Sequence, residues 1–313
     1  MPSRKAAGLL NEARETFASI FGTRSDEIYF LGEPSLGFHL GINGLLQDHS
    51  TLFYSGTDRA PVHAIVDGRV NQGLAVTTDF TSPSGESDVL VYQSVNPETG
   101  IKQRHPDFTG QVFVDNTAYG VHTVLPENWS TAIWQSRSWQ GPSGLGIFAL
   151  RSGQSWRNPL PHNDPTKVPQ TFSLPLALAS TVALESFMKD EQSSRAKIAH
   201  LRSMATQYLQ SEIGDVIVVG EKEEVQPSLL SIIVAGVDAE RAVNDLSDKG
   251  FYVDSGSACM SSNLAPSHVL AAMGLPTTGN IRLTLHPNTT EESVEELLGH
   301  LKAVVNNQRN ITQ

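Results

Sequence analysis

Cysteine is nearly absent from this chain: Cys259 is the only one in 313 residues. One thiol excludes an intrachain disulfide and points to a reduced, cytoplasmic setting. Sequons at Asn128, Asn288 and Asn310 are chance occurrences in such a compartment. Basic charge is also scarce. With 22 Lys and Arg against 33 Asp and Glu, the formal net charge is -11, and no basic cluster offsets it, which argues against a nucleic-acid partner. Apolar runs of membrane-spanning length are missing, so no membrane association is expected. The N-terminal MPSRKAAGLL passes directly into NEARETF, without the apolar core and cleavage site of a secretory leader. There is no internal repeat, no metal-spaced His/Cys cluster and no nucleotide-binding glycine motif.

What is present suits a globular α/β chain with a large domain and a smaller one. Ala6, Leu9, Leu10, Ala13, Phe17, Ile20 and Phe21 recur at three and four, predicting an amphipathic first helix that stops at Gly22. Strands are expected at 27–31, 51–54, 72–77, 88–95 and in QVFVD ending at Asp115, with helices over 35–47 and 59–67. The segment from Thr131 to Leu150 reads as strand, glycine turn, strand. Polar residues from Ser152 to Gln170 suggest a loop, followed by helices at 171–190 and 194–210. The first of these is nearly apolar and is expected to be buried. The remainder alternates strands with helices, which suits a small α+β domain. The domains are therefore placed at 1–170 and 214–313, with 171–213 as connecting helices.

Chemistry concentrates in YVDSGSACMSSNLAPSHVLAAMGLPTTGNIRLTLHPN, from Tyr252 to Asn288. Cys259 sits there in a Gly/Ser-rich loop and Arg282 on a following strand. A lone cysteine is often a buried small hydrophobe, whereas Gly256, Ser257, Ser261 and Ser262 favour an exposed thiol. Both readings stand on composition. The succession GSAC, PSHVL-x-AMGL, IRLTL and TTEE resembles the C-terminal part of the cysteine desulfurases, in the class V aminotransferase branch of the fold-type I pyridoxal-phosphate enzymes. The resemblance implies a mostly parallel seven-stranded sheet with helices on both faces and a smaller C-terminal α+β domain. It also implies that Cys259 is the persulfide-forming thiol and that Arg282 holds the substrate carboxylate.

The cofactor-side positions match less well. Where the family carries a G-A-T-E phosphate turn, this chain reads Glu33, Pro34, Ser35, Leu36. A carboxylate repels a phosphate dianion and Pro34 lacks an amide donor, so only Ser35 keeps a suitable hydroxyl. The ring-stacking His of an E-H pattern falls at Arg59, after Asp58, with His63 off register. NPETG, from Asn96 to Gly100, retains one asparagine of the family's N-N-E-T-G turn, although it is an ordinary turn sequence by itself. Asp115 matches the acid that pairs with the cofactor's pyridine nitrogen; on pattern alone it also reads as a helix cap. Three residues on, Ala118 replaces Gln or His. The glycine scaffold of Gly141, Pro142, Gly144 and Gly146 sets the register of the family's S-x-H-K segment. In that register Gln135 replaces the phosphate-binding Ser, Arg137 the His and Ser138 the Schiff-base lysine. No lysine lies between Lys102 and Lys167, so a small register shift cannot restore one. Trp129, Trp134 and Trp139 add bulk nearby, to fill a vacated pocket, pack the core or meet a partner.

The resemblance implies an N-terminal arm ahead of the first helix, and with Met1 almost at that helix the arm is expected to be missing. Together with the substitutions, this leads to the expectation of a degenerate, N-terminally shortened desulfurase-like protein. It would be noncatalytic or partner-dependent, acting in sulfur relay or binding as a homodimer or beside an active relative, with a protein sulfur donor or acceptor. No covalent cofactor is expected, and any pyridoxal phosphate would be weakly held. The alternatives are a pyridoxal-phosphate-dependent desulfurase or lyase acting on a small amino acid, and a structural or small-molecule-binding homologue.

Overall fold

The computed structural model describes residues 2–118, 121, 124–256 and 266–312. The chain divides into two compact units, one comprising Met1–Val95 and Gln103–Lys189, the other Asn96–Lys102 and Asp190–Gln313. Of the two helices expected to connect the domains, the first falls in the first unit and the second in the second unit.

The first unit is built on a seven-stranded sheet. Its strands are β1 (Ile28–Leu31), β2 (Leu52–Phe53), β3 (Val76–Thr77), β4 (Val89–Gln93), β5 (Gln111–Asp115), β6 (Trp129–Gln135) and β7 (Gly146–Leu150), in the order β1-β7-β6-β5-β4-β2-β3. All pairs from β6 to β3 are parallel; β7 alone runs against both its neighbours. This is the mostly parallel seven-stranded architecture implied by the resemblance. Side-chain alternation sends Val112 and Val114 of β5 to one face and Phe113 to the other. The first face is covered by α1 (Pro2–Phe21) and α4 (Leu174–Lys189), with Phe17, Phe21, Trp134, Trp139, Ala177 and Leu184 in one core.

The opposite face carries α2 (Pro34–Phe38), continued by a wider π-helical turn over His39–Asn43, and α3 (Ala60–Asn71). The expected 35–47 helix is thus shorter and partly unwound from α geometry. Glycine sets its distance from the sheet: a Cβ on Gly37 would lie 2.4 Å from Ile133, and one on Gly41 2.4 Å from the Phe113 ring. Helix α4 departs from its expected burial. Ala177, Ser180, Thr181 and Leu184 are buried, but Val182 is 65% exposed, so its apolar composition does not enclose it on every side.

The second unit has a four-stranded antiparallel sheet of β8 (Val216–Val218), β9 (Leu229–Val234), β10 (Asp254–Ser255) and β11 (Asn280–Thr284), in the order β10-β11-β9-β8. Helices α5 (Glu191–Glu212), α6 (Ala239–Ser247), α7 (His268–Ala272) and α8 (Glu291–Thr312) complete it. Leu201, Leu209, Leu246, Leu298 and Leu301 meet Ile232 and Ile281 in its core. The segment Asn96–Lys102 joins this unit through a bridge between Ile101 and Val225 and a bond from the Gln226 amide to the Gly100 carbonyl, 2.7 Å.

Candidate functional site

In the first unit, the ends of β5 and β6 hold the polar cluster around Asp115. This residue is 2% exposed, and its Oδ1 accepts from the Thr117 amide at 2.9 Å and the Thr117 hydroxyl at 2.6 Å. The bond from the amide two residues ahead is an Asx turn, which the chain makes as it leaves the strand. Thr117 Oγ1 in turn accepts from Arg59 at 2.5 Å. The Thr117 carbonyl accepts from the Gln135 amide and from the Ser138 hydroxyl, each at 2.7 Å. Asp115, Arg59, Gln135 and Ser138 are therefore brought together through Thr117.

Ser138 lies in a short 3-10 turn, Ser136–Trp139, closed by Gln140 in the left-handed region at φ 61°. Glycine follows it at a close approach: a Cβ on Gly141 would stand 2.2 Å from the Ser136 hydroxyl and force it to move. Arg137 is exposed on this turn and Ala118 is partly buried beyond Thr117. Of the readings offered for Trp134 and Trp139, core packing holds and pocket filling does not. They point into the α1/α4 core, where Trp134 stacks on Phe21 at 4.3 Å and Trp139 donates to Ser180 of α4 at 3.2 Å. Trp129 is 7% exposed and lies under the Arg151 guanidinium.

Asp58 is 1% exposed, and its Oδ2 accepts from the Ser55 amide at 2.7 Å. Burial, aided by the negative charge of Asp115 and opposed by that hydrogen bond, pushes its carboxyl up to about 8. Asp58 therefore keeps its proton at neutral pH. At the start of α2, Glu33 Oε1 accepts from the Ser35 amide at 3.0 Å and from the Ser35 hydroxyl at 2.9 Å. Both donors that a phosphate could use at Ser35 are engaged by this chain's own carboxylate. His63 packs edge-on against Tyr54, away from the ring-stacking register.

The remaining predicted residues belong to the second unit. Arg282 of β11 donates to Asp254 at 2.6 Å and to the Ser255 carbonyl at 2.9 Å, and its other terminal nitrogen lies 3.7 Å from Glu98. Glu98 also accepts from the Ser267 hydroxyl. Asn96 is 2% exposed; its side-chain oxygen accepts from the amides of Glu98 and Thr99, both at 3.0 Å, and so shapes its own turn. Cys259 lies outside the described residues, as do its neighbours from 257 to 265.

Sequence reasoning missed Thr117, Asp58 and Glu98 as participants. The spacing of Asp115 and Thr117 carried an Asx-turn signal, but nothing in the sequence placed Asp58 beside Asp115. Among the described residues, no group of His, Cys, Asp or Glu could hold a metal ion. An open hollow of about 600 Å³ occurs elsewhere, among Phe21, Leu125, Trp129 and Arg151, and none of the cluster residues around Asp115 lines it.

The seven-stranded α/β unit with a smaller C-terminal α+β unit is the architecture of fold-type I pyridoxal-phosphate transferases. A solved structure described as a NifS-like protein superimposes with a TM-score of 0.84 at 20% identity, covering 97% of this chain and 89% of that one. The family model for aminotransferase class-V matches residues 163–297, a stretch that includes Cys259 and Arg282 and stops short of Asp115 and Ser138. A cysteine desulfurase, IscS, of Dictyoglomus turgidum is 24% identical over 99% of this chain and 86% of its own length. The cysteine desulfurase NifS of Azotobacter vinelandii is 27% identical over 97% and 83%. The chain is thus similar over nearly its whole length to cysteine desulfurases, and over residues 163–297 to the class-V aminotransferases.

Proposed function

We propose that this protein is a noncatalytic member of the family, acting as a sulfur-relay or binding subunit. The observation that carries the reading is Ser138. At the position matched to the Schiff-base lysine, its hydroxyl donates to the Thr117 carbonyl, and a hydroxyl cannot form the imine that an amine forms with an aldehyde. Glu33 supports the same reading, since its carboxylate engages the donors of Ser35 and would repel a phosphate. The residues present do not fit a covalently held pyridoxal phosphate, and any binding of it is weak and noncovalent. If Cys259 handles sulfur, the sulfur arrives as a persulfide from a donor protein or small molecule, by thiol exchange. The protein works as a homodimer or beside an active relative, in the cytoplasm; among the described residues no helix is long and apolar enough to cross a membrane.

A second reading, a pyridoxal-phosphate-dependent desulfurase, is favoured by the names of the relatives and by the retention of Asp115 and Arg282. Two experiments separate them. Pyridoxal phosphate is added to the purified chain, followed by borohydride; the noncatalytic reading expects no internal-aldimine absorption and no pyridoxyl-lysine in peptide maps. The chain is then incubated with an active desulfurase and cysteine, and intact mass is read against Cys259→Ser. Sulfur on the wild type alone supports relay. Rapid alkylation of Cys259 without sulfur uptake rejects it.

A further inference from the structure

Three of the residues that differ from the family pattern, Arg59, Gln135 and Ser138, meet at one residue for which no role was expected. Each donates to Thr117, Arg59 at its hydroxyl and the other two at its carbonyl. A threonine hydroxyl has one proton to give and lone pairs to receive with. Its proton goes to Asp115, at 2.6 Å, so its lone pair serves Arg59. The polarity runs in one direction, from guanidinium through hydroxyl to carboxylate. Such a relay between ionised ends is stronger than a bond between neutral groups.

We infer that this chain closes the ring position of its cofactor-type pocket from within: Arg59, linked to Asp115 through Thr117, supplies in cis the cation that a bound pyridinium would otherwise bring to that carboxylate. The charges agree. With Asp58 holding its proton at neutral pH, the cluster has one cation in Arg59 and one anion in Asp115, and needs no cationic ligand to offset a buried charge. A cationic ring entering here would have to displace Arg59 from Thr117 and set a second cation against one carboxylate. The inference deepens the proposed function and rests on its premise that no cofactor is covalently held.

The test compares the full-length wild type with Arg59→Ala, Thr117→Val and their combination, with Arg59→Gln as a milder change in case Arg59→Ala fails to fold. Thermal unfolding is followed with and without pyridoxal phosphate, and noncovalent binding is titrated by absorbance. Closure predicts that the single variants unfold at lower temperature and that the double variant is no worse than the poorer single one, because both break the same relay. It also predicts that removing Arg59 tightens pyridoxal phosphate binding by about tenfold or more, the scale of one charge-assisted bond, and that the ligand then raises the unfolding temperature. Additive effects of the two substitutions overturn the relay. Equal affinity in wild type and Arg59 variants overturns the closure. A borohydride-stable lysine adduct in the wild type is a separate failure, of the proposed function, and is detected by mapping whether or not the two substitutions are coupled.

Discussion

Asp58 gives a signed and sizeable pH effect. Its carboxyl is pushed from an ordinary 3.8 to about 8 in the folded protein. Below pH ~4 both states hold the proton, and Asp58 costs the fold nothing on this account. Between pH ~4 and ~8 the unfolded chain releases it while the folded chain keeps it, so stability falls as pH rises through this window. At 1.36 kcal/mol per pKa unit, about four units amount to roughly 5 kcal/mol across the full window. Asn in place of Asp58 resembles the protonated acid, retains an oxygen for the Ser55 amide and does not titrate. Asp58→Asn is therefore expected to stabilise the protein by a few kcal/mol at pH 8, on the order of the shift above, and to differ little from wild type near pH 4. Urea unfolding at several pH values, followed by tryptophan fluorescence, measures the difference. A wild-type-to-variant difference that stays constant with pH would refute the reasoning, as would destabilisation by Asn at pH 8.

Phe21→Ala removes a 5%-exposed ring stacked on Trp134 and is expected to cost about 3–5 kcal/mol in unfolding experiments, with a shift in tryptophan emission; a loss below ~1 kcal/mol would contradict the packing. Arg282→Ala leaves Asp254 and Glu98 without their guanidinium and should cost about 2 kcal/mol, less than a fully buried pair because Asp254 is half exposed. If Arg282→Ala were as stable as wild type by chemical unfolding, its anchoring role in the second unit would be wrong.

The elements were largely legible because hydrophobic periodicity is local. Phe17 and Phe21 lie on the buried stripe expected of the first helix, and β5 ends at Asp115 as its apolar run implied. The seven-strand count came from resemblance; the runs read as strands, those holding β2 and β3 included, only permitted it, and at two residues each these strands are shorter than the runs at 51–54 and 72–77. The match of Ser138 to the family's lysine position was read from the glycine register, but the hydrogen bond that holds Ser138 was not legible there. Thr117 gathers three side chains from two separate stretches, and Asp58 owes its proton to burial beside Asp115; both depend on distances between residues far apart in the chain. For Trp134 and Trp139 the sequence left pocket filling, core packing and a partner surface open; strand and turn geometry decides for the α1/α4 core.

The measurement that bears most directly on the central claim is peptide mapping of the wild-type chain after saturation with pyridoxal phosphate and borohydride reduction, with the absorption spectrum recorded before the reductant is added. The account predicts no protein-bound aldimine band and no stoichiometric pyridoxyl-lysine. A stoichiometric adduct on any single lysine, with the matching absorption band, would contradict it.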